Sequence, residues 1–359
     1  MTTVVVGGAG IAGLAAAWEL KRAGVDAIVL ESERRAGGVI VTERPEPGWI
    51  VEGGPDGFHA SDSAIPELAA ELGIAGRLIR AATRGTFGWD GTGFHPLSGL
   101  EAAELLGIEA RAIDPKAGYQ SFAAGMEELV EALVRAVVPA MMRVGVTAAH
   151  RTARGFRVSA AGGGGGTECD GLVVALPAYA AARLFPGLDG RVRALLEEVR
   201  YRPSVTVSLA YARDQVREPL DGTGFVVQPG VASPLRACTY ASVKFRGRAP
   251  EGAVLLRAFL APGIEAAATT AHEALARILG IEGRPRWARD FDWPRGLPDR
   301  RGGEHERAAW RAELDRRIER LGPIALAGAA YDGPGVSACV RSGRAAARRV
   351  LAALGAPAA

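Results

Sequence analysis

The first 31 residues constrain the fold more than any other stretch of the chain. A β-branched run, Val4-Val5-Val6, leads into Gly7-Gly8-Ala9-Gly10-Ile11-Ala12-Gly13, and a helical pattern from Leu14 to Leu20 follows before Gly24. Gly8, Gly10 and Gly13 fall in the G-x-G-x-x-G register. There the first glycine serves a tight turn, the second a close approach of backbone to a pyrophosphate, and the third the packing of helix on strand. The N–H groups at the helix start then face phosphate charge. A second apolar run, Ala27-Ile28-Val29-Leu30, ends at Glu31, 23 residues beyond Gly8, a spacing that suits a carboxylate holding a ribose hydroxyl. Glycine turns arise by chance in a chain with 48 glycines, so the flanking strand, helix and acid carry the reading of a dinucleotide site. The pattern predicts an α/β fold that opens on a Rossmann-like unit.

A length of 359 residues is enough for two domains. The 43 Lys and Arg against 40 Asp and Glu leave a net charge of +3, too small a field for a dedicated nucleic-acid binder. Nearly all the cations are arginine, with lysine only at Lys21, Lys116 and Lys244. Cys169, Cys238 and Cys339 are too few and too far apart for a disulfide framework or a CxxC metal pair, and they suit a reducing cytoplasm. The histidines, His59, His95, His150, His272 and His305, show no metal-ligand spacing. The apolar window 129–146 is interrupted by Glu131, Arg135, Pro139 and Arg143, well short of the roughly 20 apolar residues of a spanning helix. No signal-peptide pattern opens the chain. A cytoplasmic location is expected, with peripheral membrane contact left open. Cys339, near a predicted helix start, is a candidate thiolate or a small packed residue. The glycine run 162–166 reads as a hairpin tip, since no helix follows it.

Further segments occur in a fixed order. Arg35-Ala36-Gly37-Gly38 follows the acid, and then comes Val51-Glu52-Gly53-Gly54-Pro55-Asp56-Gly57-Phe58. Residues 118–129 (GYQSFAAGMEEL), 143–148 (RVGVTA), 169–177 (CDGLVVALP) and 219–227 (PLDGTGFVV) come next. Residues 237–252 (ACTYASVKFRGRAPEG) precede Leu255-Leu256-Arg257, and Trp293 to Pro298 and Gly328 to Val336 close the series. Nearly end to end, these segments resemble the FAD-dependent protoporphyrinogen and coproporphyrinogen oxidases of haem synthesis, within the amine-oxidase-like flavoproteins. The resemblance implies FAD as cofactor. Gly8, Ala9, Gly10, Ile11, Ala12 and Gly13 would meet its pyrophosphate, Glu31 and Ser32 its ribose, and Arg35, Gly38 and Val39 the pyrophosphate and flavin. Gly54, Pro55, Asp56 and Gly57 would pass under the ring and Ala148 beside the adenine. Trp293, Pro334, Gly335 and Val336 would complete the flavin contacts.

The expected fold is a two-dinucleotide-binding-domain FAD fold with a second, α+β substrate domain. The FAD domain takes residues 1–82, 119–190 and 301–359, a shortened insertion takes 83–118, and a substrate-domain sheet takes 191–300. Alternating patterns at 205–211, 225–227 and 254–259 predict that this sheet is antiparallel. After a hairpin at 86–97 the family inserts a long helical region, whereas here only residues 98–116 fill the place; Leu100, Leu105, Leu106 and Ile108 suit one short helix. Gly57, Pro334 and Asp299 also depart from the residue types common in the family. Arg246, Arg248 and Arg257 are candidates for bidentate contacts to substrate carboxylates, the other reading being exposed sheet positions.

The function implied is dehydrogenation of a porphyrinogen by hydride transfer to the flavin N5, with O2 as acceptor and no catalytic side chain. Two alternatives stay open on sequence alone: an amine or other C–H oxidase of the same superfamily, or a partner-dependent or non-catalytic flavin- or porphyrin-binding protein. In the partner-dependent case a second chain supplies the missing pocket wall.

Overall fold

Val4, Val5 and Val6 are all fully buried, so the first strand is covered on both faces, as parallel strands between layers are. In the computed structural model, which describes residues 2–83, 85–105, 117–137, 140–161, 166–299 and 302–356, this strand, Thr3–Gly7, centres a five-stranded parallel sheet. Its order is Ala140–Met142, Asp26–Glu31, Thr3–Gly7, Gly171–Val174, Ile324–Leu326. The sheet thus draws on three separated stretches of chain. Strand order reverses beside Thr3–Gly7, and in such sheets ligands bind at the carboxyl ends of the strands next to that reversal.

The helices Ile11–Arg22 and Val336–Ala353 cover one face. They approach so closely that a Cβ on Gly343 would stand 2.0 Å from the Ala12 carbonyl oxygen. Glu19 is fully buried at this seam and accepts hydrogen bonds from Arg344 Nε at 2.9 Å and Arg348 Nε at 2.6 Å. The helix expected to start near Cys339 begins three residues earlier, at Val336, with Gly335 as its extended cap. On the other face lies an antiparallel sheet of Val146–Arg151, Phe156–Ala160 and Thr167–Cys169. The expected hairpin joins the last two strands, and residues 162–165 at its tip lie outside the described residues.

A second sheet has seven strands: Trp287–Asp299, Arg200–Ala212, Ala253–Leu260, Leu235–Tyr240, Gly224–Val227, Thr86–Trp89 and Phe94–Leu97. The expectation of an antiparallel sheet needs one correction. Phe225, Val226 and Val227 pair in parallel with Phe87, Gly88 and Trp89, because the early hairpin docks on the edge of the later sheet. Val207, Leu209 and Tyr211 point to one face and pack with Ala271, Leu275 and Leu279 of the helix Ala267–Leu279. Ala210 and Leu255 face the other way, toward Trp49 and Val51. Within the shortened insertion a helix spans Gly99–Leu105. Its Leu100 is 66% exposed rather than packed, and Leu106 and Ile108 lie outside the described residues. Among the described residues no helix is long and apolar enough to cross a membrane.

Candidate functional site

At the carboxyl end of Thr3–Gly7 the three motif glycines have three different surroundings. Gly8 has φ 101°, and a Cβ there would stand 2.5 Å from the Ala175 carbonyl oxygen. On Gly13 a Cβ would stand 1.9 Å from the Gly8 carbonyl oxygen. Gly10 caps the helix with ordinary backbone angles, and no atom lies within 4 Å of where its Cβ would be. The protein's own packing therefore requires glycine at positions 8 and 13 but leaves open space over Gly10.

Glu31 ties this loop to the next strand. Its carboxylate accepts from the Ala9 N–H at 2.7 Å, the Glu33 N–H at 2.9 Å and Ser32 Oγ at 3.2 Å. The Ala9 carbonyl accepts from the Gly37 N–H at 2.8 Å, which holds the Arg35–Gly38 turn against the loop. Arg35 spends its guanidinium on the carbonyls of Ala36, Gly38 and Ile40. Ser32, Gly38 and Val39 are exposed beside it. The Val144 N–H donates to the Glu31 carbonyl at 2.7 Å, so the strand Val146–Arg151 carrying Ala148 leaves from the acid. Ile11 and Ala12 are buried in the first helical turn.

The segment from Gly53 to Gly57 is clamped from several sides. The Phe291 ring covers Gly53, where a Cβ would stand 2.4 Å from it, and Trp293 Nε1 donates to the Gly53 carbonyl at 2.8 Å. A Cβ on Gly54 would stand 1.8 Å from the Val39 carbonyl oxygen. Gly57 has no room either, with Gln120 O at 2.4 Å and the Phe245 ring at 3.0 Å from its Cβ position. That crowding requires glycine at position 57. The Asp56 carboxylate receives Lys244 Nζ at 2.9 and 3.0 Å, and Arg257 Nη1 donates to the Gly54 carbonyl at 2.6 Å. Burial works against the charge on Asp56, yet Lys244 and Arg257 outweigh it and hold the carboxyl below its ordinary range. Glu52, buried beside Arg248 at 3.6 Å, is pushed up by burial.

Two candidate substrate arginines are thereby corrected. Arg248 is 1% exposed and donates to Ala123 O, Phe122 O and Ser121 Oγ, while Arg257 is 7% exposed and faces the Gly54 carbonyl. Neither is an exposed sheet residue; both brace the segment at 52–57, and the buried Arg257 Nε has no hydrogen-bond partner. Arg246 is exposed. Lys244 has no assigned role in the sequence reading, and its rarity as one of three lysines was the available signal.

At the third approach, Gly333, Pro334 and Gly335 lead into the C-terminal helix, with Pro334 and Gly335 exposed and Val336 buried. Ser337, in the first turn of that helix, is 7% exposed, and its buried Oγ has no hydrogen-bond partner. Cys339 is buried, and burial pushes its thiol up to about 12, which removes it as a thiolate. Cys169 and Cys238 are buried as well. Native protein is expected to leave all three thiols unreacted with an aromatic disulfide reagent at pH 8 and to expose them on denaturation; fast reaction of one native thiol contradicts this.

A cavity of about 640 Å³ lies elsewhere, between Asp290, Asp292 and Pro294 on the edge strand and the start of the helix Ala267–Leu279. Phe291 and Trp293 alternate with these acids along the strand, so the cavity opens on the side away from Gly53. Among the described residues no group of His, Cys, Asp and Glu is arranged to hold a metal ion.

Comparison with known proteins decides what this arrangement belongs to. The model of the flavin-containing amine oxidoreductases matches residues 11–116 and 98–351. The chain belongs to this family. A coproporphyrinogen III oxidase of Bacillus subtilis (strain 168) is 23% identical over 459 aligned residues, covering 96% of this chain and 96% of the relative. Another, from Propionibacterium freudenreichii subsp. freudenreichii, is 27% identical, covering 97% and 90%. The first alignment is longer than the 359 residues of this chain, so that relative carries segments this chain lacks. A solved protein of Exiguobacterium sp. 255-15, provisionally named protoporphyrinogen oxidase, superposes with TM-score 0.82 at 22% identity over 99% of both chains. Cyclohexylamine oxidase from Brevibacterium oxydans IH-35A superposes with TM-score 0.76 at 15% identity, again over 99% of both. The family resemblance read from the sequence is borne out, and the chain is a flavin-dependent oxidoreductase.

The residues present fit a flavin. Gly10 leaves space where the protein itself has no need of it, and the orphaned Ser337 Oγ waits at a helix start where N–H groups and dipole favour an electron-rich edge. Val39 and Leu297, exposed by 43% and 41%, add apolar surface on the turn behind Gly54 and on the strand that carries Trp293.

Proposed function

We propose that the protein is an FAD-dependent porphyrinogen oxidase. The observation that carries this reading is full-length similarity to two coproporphyrinogen III oxidases, including the substrate-side sheet. FAD would be held by Gly8 to Gly13 at the pyrophosphate and by Glu31 and Ser32 at the ribose. Arg35, Gly38, Val39 and Ala148 would flank the dinucleotide. Gly54 to Gly57, Trp293 and Pro334 to Val336 would surround the ring. When bound, it would supply a two-electron acceptor for hydride from a porphyrinogen carbon, with dioxygen restoring it.

The chain's own contribution is placement. Glu31 fixes the glycine loop through Ala9 and the neighbouring turn through Glu33. Lys244, Arg257 and Trp293 immobilise residues 53–56, so the surface beneath the ring is set before substrate arrives. No side chain of this segment is poised as a base, since Asp56 is committed to Lys244. Aerobic incubation of the FAD-loaded protein with coproporphyrinogen should generate the fluorescent porphyrin with hydrogen peroxide. Flavin-loaded protein that leaves the porphyrinogen at its spontaneous oxidation rate overturns the reading. Activity that appears only with a second chain supports the partner-dependent alternative instead.

A further inference from the structure

The edge strand Trp287–Asp299 does not run evenly along its neighbour. Arg202 pairs with Leu297 and Ser204 with Trp293, so the single residue Pro203 faces three, Pro294, Arg295 and Gly296. A bulge of this kind re-aims a side chain out of the regular alternation. Gly296 eases its closure, because a Cβ there would lie a tight 3.1 Å from the Cβ atoms of both Ser204 and Trp293. The residue thrown out by the bulge is Arg295, which is exposed.

Its guanidinium lies over the Tyr179 ring, 4.3 Å from the centroid. Tyr179 is braced edge-on by Tyr201 at 5.2 Å, and Tyr201 Oη accepts from the Ala178 N–H at 2.8 Å. A cation–π contact of this kind restrains where the guanidinium sits. The contact uses the π-face of the ring, and no carboxylate or carbonyl among the described residues is hydrogen-bonded to the guanidinium. Both residues follow site segments closely in the chain. Two residues before Arg295, Trp293 bonds to Gly53 O, and four residues before Tyr179, Ala175 lies against Gly8 and Gly13.

We propose that Arg295, presented by the bulge and held over the Tyr179 ring, is a specificity-determining residue that binds a carboxylate of the substrate through its N–H groups. This rests on the porphyrinogen reading, whose substrates carry carboxylate side chains on the ring periphery. It takes the role first weighed for Arg248 and Arg257, which the fold consumes internally. A planar, oriented guanidinium suits two parallel hydrogen bonds to a carboxylate. The pyrophosphate of the cofactor offers the same oxyanion chemistry, and the test separates the two.

FAD-loaded wild type, Arg295→Gln and Arg295→Lys are titrated with coproporphyrin III and with its tetramethyl ester, following tryptophan fluorescence. Retained flavin and the KM and kcat for coproporphyrinogen are measured on the same samples. The proposal predicts that Arg295→Gln weakens binding of the acid about tenfold, leaves the ester and the flavin unaffected, and raises KM with little change in kcat. Arg295→Lys recovers part of the loss. Equal binding of acid and ester by wild type, or no change in Arg295→Gln, overturns it. Loss of flavin with porphyrin binding intact assigns the arginine to the cofactor phosphate and also overturns it. Wild type that turns over coproporphyrinogen while Arg295→Gln matches it defeats this inference alone; wild type that neither binds nor oxidises a porphyrin defeats the functional reading with it.

Discussion

Gly13→Ala is expected to cost about 3 kcal/mol or more of folding stability, whereas Gly10→Ala, three residues away, should stay within about 1 kcal/mol of wild type and lose the flavin. The new methyl group at position 13 lands 1.9 Å from the Gly8 carbonyl oxygen, on the turn that joins strand to helix, and 3.1 Å from Ala175 Cβ, just past the strand Gly171–Val174. Neither neighbour can withdraw without opening the sheet. At position 10 the methyl meets nothing and the backbone angles suit alanine, so the cost falls on whatever approaches the loop. Urea unfolding of the apoproteins, with flavin titration of each, separates the two effects. A loss of flavin affinity of about a hundredfold, or ~2.7 kcal/mol, is anticipated for Gly10→Ala. Tight flavin binding by Gly10→Ala would place the pyrophosphate elsewhere.

Lys244→Met, on the short helix beside the second sheet, is expected to cost about 2–3 kcal/mol at pH 7, because it leaves the half-buried Asp56 carboxylate without its ammonium partner. In wild type the folded pKa of Asp56 lies below its ordinary 3.8. Its contribution is therefore fully present above that value and is lost as pH falls through the folded value. Glu52 has the opposite sign. Its pKa is raised from 4.5 by burial, so its contribution is present below 4.5 and lost as pH rises through the folded value. Comparing variant with wild type at each pH removes most of this second effect. The deficit of Lys244→Met should be full at pH 7 and shrink as the pH falls below 3.8 and Asp56 takes up a proton, and adding Asp56→Asn should recover much of the loss. A deficit that persists unchanged below pH 3.8 and in the Asp56→Asn background would mean that the pair does not hold the 53–57 segment.

The dinucleotide loop was legible in the sequence because its constraints are backbone constraints: a positive φ at Gly8 and a close contact at Gly13 admit no other residue. The strand pattern likewise located the second sheet. Its order was not legible, since the pairing of Phe225 with Phe87 joins strands far apart in the chain. Arg248 and Arg257 were misread for a related reason. Periodicity indicates which residues share a face but not what lies over it. The strand Ala253–Leu260 is buried on both faces, by the helix Ala267–Leu279 on one and by residues 49–57 on the other. In hindsight an arginine flanked by Leu255, Leu256 and Ala258 signals burial. Ser337 and the bulge at Arg295 left no trace in the sequence pattern, because both arise from how two elements meet rather than from either alone.

The central claim is that a porphyrinogen reduces the flavin of this protein. Anaerobic mixing of the FAD-loaded chain with coproporphyrinogen, protoporphyrinogen or a primary amine, while the oxidised flavin absorbance is followed, tests it directly. Bleaching by a porphyrinogen faster than the buffer control, and none by the amine, is expected. Flavin that stays oxidised with both porphyrinogens, or that is bleached by the amine alone, contradicts it.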